Sequence, residues 1–336
     1  MVKIPWRIKQ MDMKRKEQTK KQMGKNIFKL ILVSIIAVFG IKFIVNNKEL
    51  FSFINTLTIQ QFFICASLMI INMVVPVITD KILLNTLGID IKWFDIIVVT
   101  FINSLLSCFI PFGGAYLIKG KYLKDKCDLS YAKFVALTVG AMIINMFVVL
   151  LEAMLALLFS KLDMGKLIIM ECGLALVVIT SICILWLLYK GNEKICKMLP
   201  FKEQVKSVTE GLYEIVANKK IIAINGLIYI LNTICISVRF AYIFRFVEGQ
   251  QLSIVDAIFY QSAYQVSSFV VLLPGNIGIS EVLVGAANNL LGSGFDVGVA
   301  VTLINRMLYY IMCLVLGVLS WIAVLCKSMH QKRIDT

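Results

Sequence analysis

The residues that could do chemistry in this sequence are charges and helix breakers embedded in long apolar runs. The densest group is 272–281, Leu-Leu-Pro-Gly-Asn-Ile-Gly-Ile-Ser-Glu. Pro274 removes a backbone donor, and Gly275 and Gly278 permit positive φ. A helix arriving at Leu273 therefore stops, and a new one begins near Ser280. Unpaired backbone groups in hydrocarbon cost several kcal/mol each, so a break at membrane depth survives only against protein or a water-filled cavity. Ser280 and Glu281 then fall where a helix N-terminus offers free N–H groups and positive dipole. One reading makes Ser280 an N-cap and Glu281 a carboxylate stabilised by the dipole; the other makes this end the floor of a site. Two arginines lie inside other apolar runs. Arg306 can pair with Glu281 or serve a ligand, and Arg239 is deep enough to need a partner or a lipid phosphate.

The composition fixes the setting. Of 336 residues, 59% are hydrophobic and 16% charged, and the mean hydropathy is +0.85. These values describe a polytopic, all-α integral membrane protein. The net charge of +14 does not indicate nucleic acid, because the bases gather at the chain ends and in loops, as anchors to anionic lipid do. The nine cysteines contain no CxxC pair and read as small hydrophobes. A single histidine, His330, excludes a His-based zinc site and Ser-His-Asp chemistry. No catalytic residue, metal site or cofactor motif is implied.

Taken in order, residues 1–26 form a basic cytoplasmic segment, 27–326 one transmembrane domain, and 327–336 a basic cytoplasmic tail. Apolar runs at 27–45, 59–79, 131–160, 166–189, 221–246 and 297–326 are long enough to cross a bilayer, and the two broken segments bring the expected count to about six to eight helices. Pro76 reads as a tolerated kink or stop near the end of its run. The run 93–110 ends at Pro111-Phe112-Gly113-Gly114 and is followed by Lys119, Lys121, Lys124 and Lys126. Simple alternation puts these lysines outside, whereas the positive-inside rule wants them in the cytoplasm. A re-entrant segment over 93–118 resolves the conflict. The loop 190–220 has seven Lys against four Glu, and its apolar residues recur at helical spacing, which suits a helix on the membrane surface.

A repeat underlies this order. The two breaks are 274 − 111 = 163 residues apart, and that shift carries Ile59 onto Ile222, Asp95 onto Ile258 and Tyr131 onto Gly294. Halves 27–160 and 166–326 with three crossings each are inverted, and paired Pro/Gly breaks in inverted halves point to a site between them.

These residues resemble the transmembrane flippase domain of lysylphosphatidylglycerol synthase and its stand-alone relatives. The family's Pro-Gly-Gly-Leu-Gly-x-x-Glu motif is matched by 274–281, its following Arg, aromatic and Gly positions by Arg306, Tyr309, Tyr310 and Gly317, and an earlier Pro-x-x-Gly block by Pro111, Gly114, Lys119 and 122–124. The likeness covers about 27–326. Ala115 and Lys119 stand where many relatives have Glu and Arg, so this block supplies no acidic group of its own. The resemblance implies movement of a phospholipid or lipid-linked headgroup, anionic or aminoacylated as in lysyl-phosphatidylglycerol, between leaflets of the cell membrane. Pro274, Gly275, Gly278, Ser280, Glu281, Arg306 and Arg239 would line the site from one half, and Pro111, Gly114 and Lys119 from the other. Two alternatives stay open: a component of lysyl-phosphatidylglycerol synthesis and cationic-peptide resistance, whose transferase chemistry the family places in a soluble domain, and a scaffold for a lipid- or glycan-modifying partner. Homo-oligomerisation is compatible with all three.

Overall fold

The computed structural model describes residues 58–110, 114–160, 165, 202–249, 251–268, 278–292 and 294–334, all within one compact unit, Thr56–Thr336. The expected runs at 27–45 and 166–189 lie outside the described residues, as do Pro111, Pro274 and Gly275. The described elements are all helical: α1 (Ile59–Thr86), α2 (Trp93–Ser107), α3 (Gly114–Cys127), α4 (Tyr131–Leu158), α5 (Lys202–Ala217), α6 (Lys219–Glu248), α7 (Ile254–Ser268), α8 (Ile279–Leu290) and α9 (Phe295–Ile334). Among them α1, α4, α6 and α9 are long and apolar enough to cross a membrane. At about 1.5 Å per residue, the 15 residues of α2 fall short of a core about 30 Å thick.

The helix ends follow local chemistry. Thr58 and Gln61 close a reciprocal cap on α1, with the Thr58 N–H donating to Gln61 Oε1 at 2.8 Å. Ser130 caps α4 and Asn218 caps α6. Pro76 neither stops α1 nor shortens it; the helix runs ten residues further, to Thr86. What Pro76 removes is the N–H that the carbonyl of Asn72 would otherwise receive.

The repeat is present in the element order. The helix starts of α6 to α9 lie 219 − 59 = 160, 254 − 93 = 161, 279 − 114 = 165 and 295 − 131 = 164 residues after those of α1 to α4. The offset grows across the break because the second interruption is longer. The two units are antiparallel. The N-terminal half of α1 (Cys65, Met69) shares a core with the C-terminal half of α6 (Phe240, Phe244), while the C-terminal half of α1 (Leu83, Leu84) shares another with Tyr229 near the start of α6. The packing partners are exchanged symmetrically: α9 lies on α2, and α4 lies on α7. Asn72 and Asn232 hold equivalent places, 72 − 59 = 13 and 232 − 219 = 13 residues from their helix starts. They hydrogen-bond each other at 3.0 Å, which puts them on the pseudo-two-fold axis.

The α2–α3 segment is re-entrant. Asp95, in the first turn of α2, accepts a hydrogen bond from the Tyr122 hydroxyl near the end of α3 at 3.0 Å, so the chain enters and leaves on the same side. Lys126 and Lys327 approach this same Asp95, and Ile215, Ile222 and Leu123 share a core beside it, which gathers the basic helix ends at one end of the bundle. The apolar edge of α5 faces α4 rather than lipid: Ile215 is fully buried, and Gly211 and Gly140 leave room for the contact. The surface-lying helix expected in loop 190–220 is therefore docked on the bundle.

Candidate functional site

Two polar centres form inside the bundle, one in each repeat. In the first, Lys119 of α3 forms a buried ion pair with Asp80 of α1, and the Thr100 hydroxyl of α2 donates to the same carboxylate at 3.4 Å. Both charges are buried, and an ion pair in such a place persists because removing either partner strands the other. Beside it is a cavity of about 290 Å³ walled by both repeats: Asn103, Tyr116 and Asn145 from the first, Tyr229, Gln265 and Tyr309 from the second. Asn72 and Asn232 sit in its wall, and so does Pro76.

The second centre is built on the start of α8. Gly278, at φ 88, is the N-cap, a conformation that costs a residue without Cβ little. Glu281 Oε2 accepts the Gly278 N–H at 2.9 Å and the Ser280 hydroxyl at 3.1 Å. Arg306 of α9 donates to the same oxygen at 2.9 Å, pairs with the other carboxylate oxygen, and reaches Ser280. The expectation that Ser280 is the N-cap is corrected: the cap is Gly278, and Glu281 caps in return from the third helical position. Arg239 finds a neutral partner, its Nε donating to Asn305 Oδ1 at 2.8 Å. Because Asn305 precedes Arg306, both arginines are tied to one turn of α9. About two turns earlier, α9 approaches α8 closely, since a Cβ on Gly298 would lie 2.7 Å from the Val284 carbonyl oxygen.

The sequence motifs therefore come together as two centres rather than one. Ser280, Glu281, Arg306 and Arg239 form the second with Gly278. Lys119 belongs to the first, and Gly114 opens the helix that carries it. Among the described residues, the cavity lining includes Asp80 and Lys119 of the first centre and no charged residue of the second. Asp80 is the residue that sequence reasoning missed. The expected run stopped at 79, one residue before it, and its signal was the apolar Ile82-Leu83-Leu84 that continues the helix past it. The acid missing after Gly114 is supplied from α1.

At the basic end, Asp95 is 4% exposed and joins three elements. Besides Tyr122 it faces Lys126 at 3.9 Å and Lys327 of α9 at 3.7 Å. Lys327 also lies over the Phe94 ring, 4.4 Å from its centroid. Its repeat equivalent Asp256, two residues into α7 as Asp95 is into α2, is only half-buried and accepts a hydrogen bond from the Ser253 hydroxyl at 2.6 Å. In the nearby connection, Lys81 holds Asp90 at 2.6 Å. That contact keeps the Asp90 carboxyl below the usual carboxylate range, first through the hydrogen bond and then through the charge.

Antiparallel repeats of long apolar helices, with broken segments between them and a polar cavity at their axis, define an α-helical polytopic membrane protein of the inverted-repeat kind. Residues 26–317, most of the chain, match the model of the lysylphosphatidylglycerol synthase TM region. The chain belongs to that family. No curated protein and no solved structure matches it.

Proposed function

We propose that the protein carries the polar headgroup of a membrane lipid between leaflets, as a flippase-like carrier in the cell membrane with both termini in the cytoplasm. The observation that carries this reading is the polar cavity at the repeat axis, walled by both halves and bordered by the buried Asp80–Lys119 pair. A headgroup crosses hydrocarbon at a prohibitive cost in desolvation, and a polar cavity at membrane depth removes much of that cost while leaving the acyl chains in lipid. Inverted repeats provide two arrangements related by the pseudo-two-fold axis, one facing each leaflet. The basic ends gathered around Asp95 set the orientation by the positive-inside rule. The family places the same transmembrane region in proteins concerned with lysyl-phosphatidylglycerol, which supports a lipid cargo and leaves its headgroup open.

The test is transbilayer movement in vesicles containing the purified full chain. Tail-labelled phosphatidylglycerol, lysyl-phosphatidylglycerol and glucosyl-diacylglycerol are each assayed by quenching with external dithionite. At least one lipid is expected to move faster than in protein-free vesicles, and Lys119→Met is expected to slow it. If every lipid moves at the protein-free rate, the carrier reading falls.

A further inference from the structure

We infer that the cavity takes an uncharged, polyhydroxylated headgroup, for which a hexose is the simplest case. This rests on the carrier reading above and specifies its cargo. Charge gives the first argument. Asp80 and Lys119 are the charged residues among the described cavity lining, and they neutralise each other. The breaks 111–113 and 269–277 contain no Asp, Glu, Lys or Arg. A lysyl headgroup would bring two ammonium groups into a site with no free carboxylate to meet them, and a buried charge without a counter-charge is strongly disfavoured.

The polar groups give the second. Five carboxamides reach the wall: Asn72, Asn103, Asn145, Asn232 and Gln265. Each carries an acceptor oxygen and a donor nitrogen. Asn103 Oδ1, Asn145 Oδ1 and Gln265 Nε2 are buried without a hydrogen-bond partner, and Asn103 as a whole is 8% exposed. Together the carboxamides offer acceptors and donors side by side, a mixed set that neither a cation, which only donates, nor a phosphate, which mainly accepts, can satisfy. Hydroxyl groups both donate and accept, so neighbouring hydroxyls on one ring answer both kinds of group. Tyr116, Tyr229 and Tyr309 add aromatic surface for the apolar C–H face of a sugar ring. The volume, about 290 Å³, lies at the small end of ligand pockets and accommodates a headgroup without its acyl chains.

The experiment is competition binding to the detergent-solubilised full chain, with fluorescent-tailed glucosyl-diacylglycerol as probe. Unlabelled glucosyl-diacylglycerol is expected to displace it at concentrations at least tenfold lower than lysyl-phosphatidylglycerol or phosphatidylcholine. Equal displacement by all three, or better displacement by the lysyl lipid, overturns the inference. Methyl glucoside is the arm that separates sources. Displacement as efficient as by the glycolipid assigns the cavity to a free sugar; much weaker displacement assigns it to a lipid-linked one. Asn103→Leu and, from the other repeat, Gln265→Met are expected to weaken probe binding at least fivefold while elution and melting stay like the parent. Unchanged probe binding in both variants counts against the inference, and the competition on the unaltered chain stands without them. The two readings fail separately. A tenfold preference with no transbilayer movement sinks the carrier and keeps the cavity assignment, whereas movement of all lipids with equal competition does the reverse.

Discussion

Asp80 and Lys119 come from helices that are separate in sequence, and neither has a second charge to fall back on within the described residues of the first centre. Asp80→Asn or Lys119→Met alone should cost about 3–5 kcal/mol, since each strands a buried charge. The double substitution should recover most of that stability and none of the transport. Melting of all four proteins in detergent, read as a double-mutant cycle, checks this; additive losses would mean that the pair is not coupled. A milder effect belongs to Asp90, which is exposed. Its carboxyl is depressed by Lys81, so the contribution of that contact is present above the ordinary carboxylate pKa and is lost as pH falls through the lower folded value. Amide exchange around Ile91, whose carbonyl also accepts from Lys81, should quicken on acidification in the parent and be pH-insensitive, beyond the intrinsic rate, in Asp90→Asn. At this scale the sequence marked Glu281, Arg306 and Arg239 as charges needing partners, and two of the three were matched by type. It could not supply Asp80, because burial of that carboxylate depends on where α3 returns, and nothing local encodes this.

Among the elements, α8 and α9 meet most intimately. Gly298 is the point of contact, and a side chain there would strike the backbone of α8 at Val284 and Gly285. Gly298→Val should destabilise the protein by about 1–3 kcal/mol, as overpacking does, and by tilting α9 should separate Arg306 from Glu281. A lowered melting temperature that Gly298→Ala reproduces only in part is the expected result, and an unchanged one would show that the helices can part at no cost. Asp95 ties α2, α3 and α9 at the basic end. Removing its charge by Asp95→Asn should free the end of α9, seen as faster exchange over residues 320–327 with the cavity residues unaffected. The boundaries of α4 and α6 and the start of α8 were legible to within a few residues because caps, glycines and apolar period agree there. The reach of α1 to Thr86, beyond the expected end at 79, was not, since a proline inside an apolar helix is tolerated when neighbours reclaim the freed carbonyl, and only the packing tells.

For the whole molecule, the inverted arrangement predicts opposite accessibility of equivalent breaks. In a cysteine-free background, a probe at Lys121 should label from the cytoplasm alone and one at Asn289 from outside alone; labelling of both from one side would make the halves parallel in the membrane. Asn289 serves better than Gly292, whose φ of 92 a cysteine would strain. The shift of 163 was readable because both breaks carry Pro and Gly, and the antiparallel sense followed from counting crossings. The division into two centres was not readable, since it depends on which helix faces the axis. The Asn72–Asn232 bond carries a consequence of a different order. A side chain that bonds its own counterpart on a two-fold axis meets the surroundings it would have in a dimer of two half-length chains inserted in opposite directions. Joining the halves in one polypeptide keeps that contact and frees each copy to change alone. The two copies are no longer alike: the first half buries a lysine of α3 against an acid of α1, while the second pairs glutamate and arginine within its own last two helices.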